Sequence, residues 1–387
     1  MKKLTIILSL IAISTQLNAQ WKTDFTAGLK GGYEWNVFLN PTTAVVDGDL
    51  LVREDLWTSG FFQTAFLNGK FKKDEGHRRW KLGFKLSGSN YMTELNANRF
   101  TLGLDASYRV KFAKRKYFEV APDFLRIKQN GVSLDDAILR TPFSYTQLLI
   151  PVKLDFYLGN KAWLKTEVGY KYKNYDRQNP EEQLYYHAPF FGFRLSKKWE
   201  NLNFMNKLTF SANAELRNYT DVRMSTVTGD PEEEEEDEEF DIITNGTRKW
   251  NYYRANLEYN IKPKEWLYEI TFGLYTINRN DQSGRNGYFQ VSPGVTASTQ
   301  LKKLKVSGTA RYSLRNYKNI SAGEGAGNLQ YKYFRLRLRA EAPLSKSTKW
   351  FTNFNYVNRE SNRVSNTSLG FRGYLNSLIE TGISIKF

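Results

Sequence analysis

The sequence predicts an all-β protein, a transmembrane antiparallel up-and-down β-barrel of about 16 strands. Three observations carry this prediction: apolar residues recur at every second position along most of the chain, the apparent strands are long, and their polar faces are charged. A period of two defines one face of a β-strand. A soluble sandwich or propeller has shorter strands and a dry interior that would not hold such charges unpaired.

The amino-terminal segment predicts export. Two lysines precede an apolar stretch at 4–13, which is too short to span a bilayer, and Ala19 is a suitable residue for a cleavage site. We interpret 1–19 as a cleaved signal peptide and 20–387 as a single barrel domain. The absence of cysteine excludes disulfides, a lipid-attached amino terminus and a thiolate metal site.

Aromatic residues make up 15% of the chain, while its mean hydropathy of −0.57 matches a soluble protein. This combination suits a barrel, in which only alternate residues meet lipid. In chain order, the candidate strands are 25–37, 56–71, 80–92, 100–112, 117–128, 146–158, 162–172, 183–197, 204–218, 251–261, 266–276, 289–301, 304–314, 330–342, 347–359 and 369–387. A misjudged weak segment would leave about 14 or 18 strands instead. Pro122, Pro151, Pro189 and Pro293 fall within these segments and predict bulges or strand ends, because proline cannot donate to the ladder.

The connections between these segments alternate in length. Short ones such as 302–303 take turns with longer ones such as 39–55 and 220–247. Bacterial barrels have short periplasmic turns and longer extracellular loops. The alternation therefore predicts that both termini are periplasmic.

The last segment alternates back from Phe387 through Ile385 and Ile383 and ends on an aromatic residue. With the signal peptide and the aromatic-rich strands, this resembles the outer-membrane β-barrel proteins of Gram-negative bacteria, porin-like and with a Bacteroidetes-like mature end at Gln20. The resemblance implies an outer-membrane location, contact with outer-membrane lipid, and recognition of Phe387 as the signal for the barrel-assembly machinery. It identifies no specific family.

The face of each strand that avoids lipid carries about twice as many basic as acidic residues, which predicts a lumen that prefers anions. Its strongest cluster consists of a basic ladder and two aromatic residues: Arg311, Arg315, Arg335, Arg337, Arg339, Tyr331 and Tyr333. Arginine forks suit carboxylate, phosphate or sulfate, and an aromatic rung suits a sugar ring. The alternative is a structural lattice in which these arginines pair with acids such as Glu341 and Glu269.

An acidic run lies in the longest predicted outer loop, 220–247. Its residues are Glu232, Glu233, Glu234, Glu235, Glu236, Asp237, Glu238 and Glu239. Like-charge repulsion favours a solvated, disordered loop. Weak cation binding and an electrostatic gate over a basic mouth are the two functional alternatives.

Three functions fit these observations. The first is a water-filled diffusion channel that prefers small anionic solutes. The second is a non-transport barrel that serves as an accessory or scaffold subunit with other outer-membrane proteins. The third is a barrel enzyme such as a lipase or protease, which is disfavoured because His77 and His187 are the only histidines. We expect no cofactor, no metal and, because the chain is exported, no nucleic-acid partner.

Overall fold

The computed structural model describes residues 21–46, 49–129, 144–176, 184–201, 203–220, 249–264, 267–282, 284, 287–363 and 373–387. Its strands are β1 (Lys22–Glu34), β2 (Thr43–Val46), β3 (Asp49–Val52), β4 (Gly60–Glu75), β5 (Arg78–Tyr91), β6 (Arg99–Ala113), β7 (Lys116–Val120), β8 (Asp123–Gln129), β9 (Tyr145–Gly159), β10 (Ala162–Tyr175), β11 (Leu184–Glu200), β12 (Phe204–Thr220), β13 (Lys249–Pro263), β14 (Tyr268–Asp281), β15 (Tyr288–Leu301), β16 (Leu304–Ser321), β17 (Asn328–Pro343), β18 (Thr348–Ser361) and β19 (Tyr374–Lys386). A short helix, α1 (Arg53–Leu56), and a 3₁₀ turn, Leu95–Ala97, complete the described elements. Among the described residues, no helix is long and apolar enough to cross a bilayer.

The sheet closes on itself. Strand β1 pairs antiparallel with β4 on one side and with β19 on the other. Strands β7 and β8 are two halves of one crossing, because both pair with β6 and both pair with β9. The result is a barrel of 16 antiparallel crossings. The predicted fold class is therefore confirmed.

Each predicted segment overlaps one crossing, but several boundaries differ. Strand β14 continues to Asp281 and β16 to Ser321, beyond the predicted ends at 276 and 314. The last strand begins at Tyr374, whereas the prediction began at 369. Residues 364–372 lie outside the described part of the chain. The strand ends that extend beyond the apolar band no longer alternate between apolar and polar residues. The sequence pattern therefore underestimates the length of these strands.

The two ends of the barrel differ in their connections, as predicted. At one end, which we call the short-turn end, tight turns join the strands, for example at 114–115 and 302–303. Arg115 and Lys302 there have φ angles of 58° and 55°, a left-handed conformation that matches the twist of two-residue hairpins. At the opposite long-loop end, the connection 35–59 holds the β2–β3 hairpin and α1.

The prolines behave differently from the prediction at three of four positions. Pro122 does end a strand, at the gap between β7 and β8. Strands β9, β11 and β15 instead run through Pro151, Pro189 and Pro293 without a shift of register. At Pro189 and Pro293, pairing with the following strand is skipped for two residues and then resumes in the same register. Loss of one ladder donor is tolerated in these long strands because the flanking pairs hold the register.

The outer surface is an apolar band with aromatic residues at both rims. Leu29 and Phe272 are 69% and 49% exposed. Trp80 packs against Tyr108 at the short-turn end, with ring centroids 4.1 Å apart, and Tyr33 packs against Trp35 at the other end, 4.8 Å apart. A continuous apolar band flanked by aromatic girdles is the surface of a barrel embedded in lipid.

Candidate functional site on the inner wall

Alternation along each strand sorts the side chains between lipid and lumen. In β14, Phe272 and Leu274 are exposed on the outer face, and the residues that alternate with them, such as Tyr275, point inward. The register places the five predicted ladder arginines on the inner face of β16 and β17. The inner wall is therefore polar, and two of its regions hold charges in different surroundings.

The first region, which we call the paired wall, is formed by the inner faces of β6 to β13. Arg109, Glu119, Lys153 and Glu167 are successive cross-strand neighbours there, so the sign of the charge alternates. Arg109 donates to Asp155 at 2.6 Å and lies 3.7 Å from Glu119. A cavity of about 400 Å³ opens onto these side chains.

Glu215 is the most heavily paired carboxylate of this wall. Its oxygens lie 2.6 Å from Arg217, 3.1 Å from Arg254 and 3.4 Å from Lys171. The carboxylate is buried, with 11% of its side chain exposed. Three cations held at short range around one buried carboxylate make this cluster a structural element of the wall.

The second region, which we call the arginine wall, consists of Arg311, Arg335 and Arg337. Arg311 and Arg335 are direct cross-strand neighbours. Their other neighbours in the ladder are glycine, valine, threonine and asparagine, so no acid stands beside them. Among the described residues, none of the three has a carboxylate within 4.0 Å. Three cations thus face the lumen without a neutralising side chain from the described part of the chain.

The other two predicted ladder arginines have different surroundings. Arg315 is buried, donates to Gln290 at 2.9 Å and lies over the ring of Tyr288 at 4.3 Å. Arg339 donates to Glu341 at 3.0 Å and to Asn353 at 3.1 Å. In the predicted ladder, three arginines without a carboxylate partner among the described residues therefore lie between two arginines, Arg315 and Arg339, that are hydrogen-bonded to other side chains of the wall.

Tyr331 and Tyr333 are 1% and 2% exposed and pack in one cluster with Tyr288, Tyr317 and Leu329. The guanidinium of Arg335 lies over the Tyr333 ring at 4.7 Å. Both rings are thus covered by neighbours. In this arrangement they support the arginines and offer little free ring surface to a solute.

The residues that join this cluster to its neighbour were not predicted from the sequence. A second buried cluster contains Tyr186, Ala188, Tyr219, Trp250 and Tyr252. Arg279, which is 1% exposed, lies over the rings of Trp250 and Tyr288 at 4.5 and 4.4 Å and so bridges the two clusters. Arg279 and Asp281 keep the inward parity of β14, but Asn280 between them is polar, so the apolar alternation that marks the strand no longer indicates these residues.

The seam of the barrel joins the first and last strands. Phe387 and Phe25 exchange backbone hydrogen bonds of 3.0 Å, and their rings stack 6.0 Å apart. Inside, Lys30 pairs with Glu380 at 2.7 Å. The predicted insertion-signal residue therefore lies at the closing edge, in contact with the first strand.

The remaining candidate residues lie apart from the inner wall. His187 is hydrogen-bonded to Tyr170 on the outer face and packs against Tyr172, while His77 lies in a tight turn. Residues 221–248, which include the acidic run, are outside the described chain. Within the described residues, no group of three or more histidine, cysteine or acidic side chains could hold a metal ion.

The closed barrel with an apolar outer band and a charged inner wall has the architecture of an outer-membrane β-barrel protein. No family model and no curated protein matches the chain. It is similar in fold to OccAB4 of Acinetobacter baumannii, at 11% identity over 96% of this chain and 100% of that one, with a TM-score of 0.49. It is also similar to an anion-selective porin from Comamonas acidovorans, at 12% identity over 95% and 100% of the two chains, with a TM-score of 0.45. A third is OccK2 (OpdF) of Pseudomonas aeruginosa, at 10% identity over 95% and 98%, with a TM-score of 0.45.

Proposed function

We propose that the protein is a water-filled diffusion channel of the outer membrane that prefers small anionic solutes. The observation that carries this proposal is the arginine wall, whose three guanidinium groups have no carboxylate within 4.0 Å among the described residues. Charges of this kind need water or a mobile counter-ion, because an unpaired charge in a dry interior is strongly destabilising. Cationic rows along a pore favour anions.

The orientation and export of the chain belong to the same proposal. With 1–19 removed as a signal peptide, the short-turn end faces the periplasm and the long-loop end faces outward. Both termini are then periplasmic, and Phe387 is available to the barrel-assembly machinery during insertion. The acidic run in 220–247 falls outside the described residues; in this orientation its loop is assigned to the outer side, and solvation, weak cation binding and gating of a basic mouth are its alternative roles.

Bilayer electrophysiology tests the channel directly. We expect single-channel conductance in planar bilayers and, in a gradient of KCl, a reversal potential that favours chloride. The combined variant Arg311→Gln, Arg335→Gln and Arg337→Gln should lower the anion-to-cation permeability ratio roughly tenfold at low salt, since the field of a one-sign lumen concentrates counter-ions by about that much. The effect should shrink as salt rises, because the Debye length is about 10 Å at 0.1 M.

The double variant Arg339→Gln and Glu341→Gln is the matched control for this experiment. Arg339 lies on the same strand and face, but it pairs with Glu341, so removing both charges leaves the net charge of the wall unchanged and should leave the ratio nearly unchanged. Equal effects of the control and the triple variant would show that the arginine wall has no special role. A ratio that the triple variant leaves unchanged would overturn anion preference.

A specific feature favours a second candidate, a non-transport scaffold barrel. At the long-loop end, Asn36 is fully buried and donates to the carbonyls of Leu375 and Asn40 at 2.9 and 2.8 Å. This ties the first long connection to the last strand, beside the buried rings of Phe62 and Tyr91. A scaffold predicts no conductance and a partner that co-purifies in mild detergent.

A further inference from the structure

The cavity of about 400 Å³ on the paired wall holds two charges of opposite sign that are not paired with each other. Glu167 and Arg194 both line this cavity. Among the described residues, no oppositely charged side chain lies within 4.0 Å of either group. Charges without a partner are stable only where water or a bound ion solvates them. The cavity can therefore accommodate a positive and a negative group at the same time.

A glycine leaves the Glu167 carboxylate uncovered. Gly192 of β11 is the direct cross-strand neighbour of Glu167 on one side and of Asn213 on the other. A Cβ placed on Gly192 would lie 3.3 Å from Oε1 of Glu167 and 3.3 Å from Cβ of Asn213. The carboxylate therefore lies over the glycine, at a position without a side chain. Arg194 follows Gly192 on the same face of β11, about 6.8 Å further along the strand.

Arg194 lies beside another cation. Its direct neighbours in the ladder are Lys165 on β10 and Ser211 on β12. Lys165 lies 3.5 Å from Asp155, which also accepts a hydrogen bond from Arg109 and is on the side of Lys165 away from Arg194. Like charges directly opposite each other destabilise a sheet. A carboxylate bound at Arg194 would reduce this repulsion, because guanidinium groups bind carboxylates through paired N–H donors.

The charge pattern of the cavity disfavours solutes of a single sign. Its lining holds five basic and three acidic side chains, so a simple cation meets an excess of positive charge. A simple anion is attracted by that excess but is repelled by Glu167, and such repulsion is a common source of specificity. A solute that carries both charges matches Glu167 and Arg194 together. The cavity volume also falls within the range of roughly 300–1,000 Å³ that is usual for small-molecule sites.

We propose that this cavity binds small zwitterions, with an ammonium group at Glu167 over Gly192 and a carboxylate group at Arg194. α-Amino acids are the simplest members of this class. The inference goes beyond the proposed channel function, because the site lies on a different wall from the arginine wall and binds its solute whether or not the pore conducts.

Calorimetry of the full chain in detergent tests the site independently of conduction. The probes are alanine, alaninamide, which lacks the carboxylate, and N-acetylalanine, which lacks the ammonium group, all at neutral pH and constant ionic strength. We expect alanine to bind at least about tenfold more tightly than either analogue, since each analogue loses one charge-assisted contact. The absence of alanine binding, or equal binding of N-acetylalanine, overturns the proposal.

Variants separate the roles of the two charges, and heat-dependent gel mobility reports whether each variant is folded. Glu167→Gln removes both the partner of the ammonium group and the repulsion of anions, so N-acetylalanine should then bind at least as tightly as alanine. Arg194→Gln should weaken alanine at least about tenfold without weakening alaninamide. Glu269→Gln is the matched control, because Glu269 lies on β14 outside the cavity lining; alanine affinity should not change. A preference for alanine over N-acetylalanine that survives in folded Glu167→Gln contradicts the assignment.

The two proposals fail in different experiments. Selective binding of alanine, in a protein that gives no bilayer conductance, would overturn the channel and support the site. Anion-selective conductance without alanine binding would do the reverse.

Discussion

Arginine has different roles in the paired wall and in the arginine wall. In the paired wall, Arg217 and Arg254 lie within 3.1 Å of the buried Glu215. In the arginine wall, Arg311 has another arginine as its neighbour in the ladder. What an arginine does in this barrel therefore depends on whether a carboxylate lies within reach on its own strand or on a neighbouring one. The comparison teaches that arginines on one inner wall differ in state: those beside Glu215 are neutralised, whereas those of the arginine wall are not.

The largest expected difference is in stability. Glu215→Gln leaves Arg217, Arg254 and Lys171 without their carboxylate and should lower the free energy of unfolding by about 3 kcal/mol, as for other broken buried ion pairs. Urea unfolding in lipid vesicles, followed by tryptophan fluorescence, measures it. Glu341→Gln is the control beside the arginine wall, because Glu341 is more exposed and pairs with Arg339; its cost should be about 1 kcal/mol or less. Equal losses of unfolding free energy in the two variants would contradict the distinction between the two walls.

A second change should make the arginine wall resemble the paired wall. Thr309→Glu places a carboxylate directly opposite Arg337 and should raise the free energy of unfolding by up to about 1 kcal/mol while lowering anion selectivity. Unfolding and reversal potential are measured on the same protein. Ser307→Glu, opposite the already neutralised Arg339, should gain less stability. A larger gain from Ser307→Glu would contradict the assignment of free and paired arginines.

A third change tests whether the aromatic residues act by packing. The hydroxyl of Tyr331 is buried and has no hydrogen-bond partner among the described residues. Tyr331→Phe should therefore raise the free energy of unfolding by up to about 1 kcal/mol, because a buried donor without a partner is unfavourable. A destabilised variant, or one with altered anion selectivity, would show that the hydroxyl has a role in the lumen.

The smallest effect on stability is expected for Asp74, at the rim of the short-turn end. Its exposed ion pairs lie outside both walls and serve as a reference for them. Hydrogen bonds from Lys72 at 2.7 Å and Arg79 at 2.6 Å lower the pKa of Asp74 to about 2. A lowered carboxyl pKa gives stability that is complete above the usual value of 3.8 and is lost as the pH falls through about 2. The small difference in urea midpoint between the wild type and Asp74→Asn should be constant from pH 7 to pH 5 and vanish near pH 2. A difference that changes between pH 7 and pH 5 would refute this origin.

Much of the fold could be predicted because a barrel has a single repeating rule. Inward and outward residues alternate along every strand, so the parity of β17 alone places Arg335, Arg337 and Arg339 in the lumen. The number of crossings follows from the same pattern together with the alternating length of the connections. Neither inference needs knowledge of how distant strands are aligned.

The state of each arginine depends on that alignment and could not be predicted. Arg109 meets Asp155 because β6 and β9 flank β7, and Arg311 faces Arg335 because of the register of β16 and β17. The stagger between strands is set jointly by turn geometry and side-chain packing around the whole barrel. Linear sequence also hides the bridge made by Arg279, because aromatic partners from β13 and β15 have to be brought together first.

The pairing of β1 with both β4 and β19 has a consequence for how the molecule forms. Lys30 and Glu380 meet across 350 positions of sequence, so one edge of β1 remains without a partner until the final strand has been delivered. Contacts between such distant positions form slowly, and an unpaired edge is open to association with other chains. Closure of the barrel therefore competes kinetically with aggregation. A factor that shields the edge of β1, or that speeds the pairing of β19 with β1, should raise the yield of folded protein.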